Sequence, residues 1–218
     1  MDKFSIDSRN KIKRIPKRGH YDKATVYEIL DQGFLGHASF VIDGQPFIIP
    51  TSYGRKGDTL YIHGSSASRM IRHLKEGFPM AFCVTHIDAL VLARSIFHHS
   101  MNYRSAIIYG KARLVEGDEK WEALKIVSDS ILQGRWDESR EPNPIEMKAT
   151  GVLALTIEQA SAKIRTGPPG DDKPDYELPI WAGVLPIHTT YGNPIPDPLL
   201  KEGIPVSNTV KEASGNKV

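Results

Sequence analysis

Between Phe34 and Val115 the apolar residues fall in short runs rich in aromatic and β-branched side chains, each broken by a turn signal. FLGHASFVI leads into Asp43-Gly44, a strong hairpin turn, and then into QPFIIPTSY. Arg55 to Asp58, with Gly57 free to take positive φ, leads into TLYIH, giving a three-strand meander. MAFCVTHIDALVLA predicts a strand pair or one long bent strand. YRSAIIYGKARLV (103–115) predicts the longest strand, with Gly110 marking a bulge or sharp coil. VLALTIE (152–158) reads as the last strand of the sheet.

Helical spacing appears in three places. Thr25 to Leu30 predicts a short helix with Thr25 as cap, Glu28 completing a capping box, and Val26, Ile29 and Leu30 facing inward. Ser66 to Glu76 places Met70, Ile71 and Leu74 on one face. Glu119 to Leu132 does the same with Trp121, Leu124, Val127, Ser128 and Ile131. Six or more strands joined by tight turns are not a βαβ series, so the predicted fold is mainly β: a six-stranded antiparallel barrel with peripheral helices. Side chains fill a barrel this small, so a cofactor would bind outside it or between two copies.

Composition sets the class. At 218 residues, 40% hydrophobic and 25% charged, the chain can bury its own core. A single cysteine, Cys83, excludes an internal disulfide and a cysteine-rich zinc site. No apolar run approaches a membrane span, and charges interrupt the first twenty residues. The expectation is a cytoplasmic protein with no membrane partner. Net charge is +2, yet residues 1–23 hold eight Lys/Arg against three Asp. That arm reads as a solvated end or as a grip on something anionic, and with few aromatics interleaved it is not a nucleic-acid hook. The chain thus divides into a basic arm (1–23), the main domain (24–165), a proline-rich extension packed on it (166–206) and a disordered tail (207–218).

No GxGxxG, Walker loop, HExxH or GxSxG occurs. The unit YIHGSSASRMIRHL (61–74) places Ser65, Ser66, Ser68 and Arg69 at a predicted strand-to-helix junction. Free N–H groups, hydroxyls and a guanidinium there describe a phosphate seat; ordinary capping beside an exposed arginine is the plainer alternative. His98, His99, Asn102, Tyr103, Arg104 and Ser105 cluster at the start of the longest strand. Adjacent histidines on extended chain face apart, which argues against a shared metal. Arg104 reads either as a second phosphate contact or as a solvent-facing charge. Pro50, Thr51, Ser52 and Tyr53 end a strand where donors could meet a polar ring edge. Trp181, in LPIWAGVLPI, predicts a docked segment or a ligand wall.

RGHYDKATVYEIL (18–30), DGQPFIIPTSYGRKGDTLYIHGSSASR (43–69), ARSIFHHSMNYRSAIIYGKA (93–112) and KIRTGPPGDDKPDYELPIWAGVLP (163–186) occur in that order. Together they resemble the pyridoxamine 5′-phosphate oxidase-related, flavin-nucleotide-binding proteins, and the branch similar to nitroimidazole-resistance reductases. The resemblance implies a six-stranded antiparallel FMN-binding split β-barrel with peripheral helices. It also implies a homodimer holding FMN in clefts between subunits. Ser68-Arg69 look like the family's phosphate-binding pair, with Met70 where a lysine usually follows. Ile49 to Tyr53 resemble the strand beside the flavin ring, the backbone of His63 and Gly64 the segment after it, and Ser105 falls where a glutamine contact is expected. The implied function is an oxidoreductase passing electrons between NAD(P)H or another donor and a small organic acceptor. His98, His99 or Tyr103 are candidate proton donors. The alternatives are a non-catalytic FMN-binding sensor or a haem-binding split barrel.

Overall fold

The computed structural model describes residues 2–216. In chain order its elements are β1 (Gly19–His20), α1 (Lys23–Asp31), β2 (Leu35–Ile42), β3 (Gln45–Lys56), β4 (Thr59–Ser65), α2 (Arg69–Leu74), β5 (Pro79–Leu92), β6 (Ser100–Val115), α3 (Gly117–Ile131), α4 (Pro144–Ala149), β7 (Thr150–Thr156), β8 (Gln159–Arg165), β9 (Gly183–Pro186) and α5 (Asn208–Ala213). Among the described residues no helix is long and apolar enough to cross a membrane.

All strand pairings are antiparallel, and the nine strands run in the order β1-β8-β6-β7-β4-β3-β2-β5-β9. A further β5–β6 pairing joins six of them into a ring, with β1, β8 and β9 outside it. The expected six-stranded barrel is therefore corrected on two counts. The sheet is larger, because QASAKIR turns the small, buried Ala160 and Ala162 to one face and adds β8, onto which β1 pairs. The ring is also not a closed barrel. The β3–β4 ladder ends at Tyr53–Ile62, after which β3 stays with β2 and β4 with β7.

β6 changes neighbours along one edge, from β8 over 103–109 to β7 over 112–115. Gly110 stands at the change, where a Cβ would lie 2.0 Å from the Thr156 carbonyl oxygen. It permits a close crossing, not the bulge predicted. The irregularity lies in β5 instead, between Ile87 and Ala89.

The Asp43-Gly44 hairpin forms as predicted, both residues at positive φ (49° and 78°). α1 buries Val26, Ile29 and Leu30, each contributing about 2 kcal/mol of apolar burial. Its cap is Asp22, whose carboxylate accepts from Thr25 N; Thr25 itself lies inside the helix. α2 is shorter than predicted, starting after the Ser68 cap, but buries Met70, Ile71 and Leu74 as expected. α3 turns Ala123 and Val127 inward, while Ile131 is exposed and Trp121 packs edge-on against Trp136.

The basic arm is anchored. Phe4 enters the main core, and buried Asn10 donates to the Ser5 and Ala160 carbonyls (2.7 and 3.1 Å). At the other end, the tail expected to be disordered carries α5 up to Ala213; Lys217 and Val218 lie outside the described residues. Trp181 does not enter the core of this chain: it is 68% exposed.

Candidate functional site at the split and along β6

Where β3 and β4 part, Pro50, Thr51 and Ser52 present one strand edge and His63, Gly64 and Ser65 the other. Backbone groups on these edges lack a ladder partner and are available to a ligand. α2 stands at the mouth. A Cβ on Gly64 would lie 3.8 Å from Ser68 Oγ, so helix and strand are in close contact there.

The hydroxyls predicted to seat a phosphate already serve the backbone in part. Ser68 Oγ accepts from Ile71 N and Ser65 Oγ from Ala67 N, both at 3.3 Å, while Ser66 N donates to the Ala149 carbonyl. Each hydroxyl retains its own proton to donate. Arg69 lies over the Phe47 ring (4.5 Å) and, with Arg72 and His73, lines a cleft of about 460 Å³.

Two neighbours predicted for this site face elsewhere. Tyr53 is wholly buried, and its hydroxyl donates to the Leu30 carbonyl at the end of α1. Burial pushes that phenol above its usual range. His63 faces α3, in an apolar cleft of about 310 Å³ with Leu124, Val127, Trp136 and Met147. Its Nδ1 is buried with no partner, and burial pulls its pKa down, which keeps the ring neutral.

The second predicted cluster lies at the opposite end of β6. Val115 pairs with Val152, close to the Ser65–Thr150 pair, whereas Tyr103 lies twelve residues earlier on the same strand. Extended chain covers up to roughly 40 Å over that length. At this far end His98 Nε2 lies 3.4 Å from Asp172, and Ser105 Oγ donates weakly to the Lys163 carbonyl (3.4 Å). His99 Nδ1 is 3.1 Å from the Ile96 carbonyl. Arg104 holds Asp88 through two nitrogens (3.1 and 2.8 Å) and also reaches Gln32, which satisfies the charge proposed for a phosphate.

The sequence reading missed the residues around Arg104. His86 and His188 line one cleft of about 530 Å³ with Arg104, Ile87 and Ile187. His86 Nε2 is 2.9 Å from the Ile29 carbonyl, so that nitrogen carries the proton and Nδ1 the lone pair. Gly33 allows this approach, since a Cβ there would lie 2.8 Å from the imidazole. The HID and PIH segments carry no spacing that would have paired them, because β9 joins β5 only in the folded sheet.

The extension is tied down by Asp171. Its carboxylate accepts from Arg94 N (3.0 Å), Ser95 N (3.2 Å) and Arg94 Nη1 (3.1 Å). Burial pushes the carboxyl up, but those three donors outweigh it and hold the pKa below the ordinary value. At the same end, Leu185, Leu90 and Met101 pair across β9, β5 and β6 and form an exposed apolar row. Ile96 and Phe97, 89% and 87% exposed, stand nearby on the β5–β6 connection.

A family model described as pyridoxamine 5′-phosphate oxidase matches residues 22–164. No curated protein matches the chain. Among solved structures, a flavocytochrome from Azotobacter vinelandii is 37% identical, with TM-score 0.88, covering 96% of this chain and 98% of that one. An FAD- and haem-binding protein from Mycobacterium smegmatis is 36% identical, with TM-score 0.86 and coverages of 91% and 98%. A Bacteroides thetaiotaomicron protein named for 5-nitroimidazole resistance shares the fold at 21% identity, with TM-score 0.58 and coverages of 67% and 86%. This chain therefore belongs to the pyridoxamine 5′-phosphate oxidase family.

Proposed function

We propose that this protein is a redox protein that binds a flavin nucleotide together with a haem. The carrying observation is the near-full-length similarity to two structures described as holding both groups, which covers more of the chain than the family match. This favours the haem-binding alternative over the FMN-only oxidoreductase. It also favours FAD, the nucleotide of the M. smegmatis protein, over FMN.

The residues present fit both groups. The strand edges at Pro50–Ser52 and His63–Ser65 offer unpaired backbone donors and acceptors to a flavin ring, and Ser65, Ser66, Ser68 and Arg69 offer donors to its phosphate. His98, Asn102, Tyr103 and Ser105 are proposed to complete that site from a second subunit. The exposed row Leu185–Leu90–Met101, with Ile96, Phe97 and Trp181, is the surface a homodimer would cover. For the haem, His86 and His188 provide imidazole nitrogens and Ile87 and Ile187 apolar walls. Both groups supply one-electron chemistry; the protein supplies placement and electrostatics. NAD(P)H and a small organic acceptor remain the proposed donor and acceptor classes.

The test is the absorption spectrum of purified protein, with and without added FAD and haem. A haem Soret band above flavin bands is expected, and the Soret band should vanish in H86A or H188A while the flavin bands persist. Flavin bands alone, even with excess haem supplied, would return the protein to the flavin-only class.

A further inference from the structure

β8 ends at Arg165, which is 8% exposed and, among the described residues, is the one basic residue buried as a whole. A guanidinium taken out of water needs a counter-charge, and the other partly buried arginines apart from Arg18 have one. Arg55 faces Asp31, Arg94 faces Asp171 and Arg104 faces Asp88. Arg165 makes its side-chain hydrogen bond to the neutral amide oxygen of Asn102, itself buried and tied to the Gly167 carbonyl. Among the described residues no carboxylate reaches it.

Its surroundings add positive charge. Pairing of β1 with β8 sets Gly19 opposite Lys163, which brings Arg18 close enough to weaken the hold of Arg165 on its proton, after burial itself. Tyr103 pairs with Arg165, and Ser105 with Lys163, so two hydroxyls flank the same stretch. The fold thus gathers cations around a desolvated arginine and supplies no acid, a costly arrangement unless an anion completes it.

We propose that Arg165, Arg18, Lys163 and Tyr103 form an oxyanion seat at the junction of β1, β6 and β8, occupied by a phosphate group. The inference stands on the uncompensated charge and does not require the flavin–haem reading. The phosphate is either free or the end of a bound nucleotide.

The test uses full-length protein as purified, titrated with inorganic pyrophosphate and separately with FAD, for wild type, R18Q and R165Q. Thermal unfolding is followed alongside. Pyrophosphate should raise the melting temperature of wild type. R18Q should fold normally and bind it about tenfold more weakly, and R165Q should lose the response. R165Q should also melt higher than unliganded wild type, because an uncompensated buried charge has been removed. A merely structural arginine would give the opposite shift. Parallel loss of FAD affinity assigns the seat to the nucleotide; unchanged FAD affinity with lost pyrophosphate binding assigns it to a free phosphate. Equal pyrophosphate affinity in all three proteins, or R165Q melting lower with affinity unchanged, overturns the proposal. Dissociation of an R165Q oligomer with no pyrophosphate effect also overturns it, since the missing charge would then be a partner's carboxylate.

Discussion

Arg94 and Arg165 stand at two ends of one short loop, residues 165–171, and receive opposite treatment. Arg94 meets a carboxylate that also binds two backbone amides. Arg165, more deeply buried, meets a neutral amide. Acids were at hand: Asp171 and Asp172 follow six and seven residues on, yet one closes on Arg94 and the other lies beside His98. The first charge is matched by an acid within the chain, although Arg94 Nε is buried without a partner, and the second is not matched. The mouth of α2 differs again, because Arg69 is exposed and its charge is solvated at little cost. An exposed cation therefore argues weakly for a ligand, and a buried unpaired one argues strongly.

That contrast can be broken from the Arg94 side. D171A would leave Arg94 as uncompensated as Arg165, and the melting temperature should fall on the order of 10 °C. A negligible change would mean the pair is not structural. Because the Asp171 carboxyl is held below its ordinary value, its contribution is full above the unfolded pKa of about 3.9 and is lost as pH falls through the folded value. Wild type should lose stability more steeply than D171N below about pH 4 and run parallel to it between pH 5 and 8. A smaller effect is expected at the α2 mouth, where R69Q should weaken flavin binding about five- to tenfold, read by fluorescence titration. Unchanged flavin affinity in R69Q would remove the α2 mouth from the flavin site. Smallest is S68A, which removes a helix cap and should cost about 1 kcal/mol in urea unfolding.

Much of the ring was legible because its turns are chemically explicit. Asp43-Gly44 and Gly57 take the positive φ that their residue types permit. β8 was not, since Ala160 and Ala162 bury little area and give only a faint alternation. The cap of α1 was misplaced because Asp22 and Thr25 are both good capping residues, and the extended φ,ψ that selects Asp22 is set by the preceding arm. The candidate site was half legible. The Gly64-to-Arg69 junction follows from local sequence, whereas Tyr53, read as a ligand contact, is drawn inward to cap α1. Arg165 carried no role in the sequence, where the sheet was expected to close at 152–158; its burial exists only in the tertiary structure.

Light scattering at micromolar concentration bears on the apolar β9–β5–β6 row, for which twice the 24.3 kDa chain mass is expected. More direct still is cofactor content per chain, with the released nucleotide identified by mass. FAD and haem together in stoichiometric amounts are expected; a well-folded protein that takes up neither when both are supplied would contradict a flavin–haem redox role.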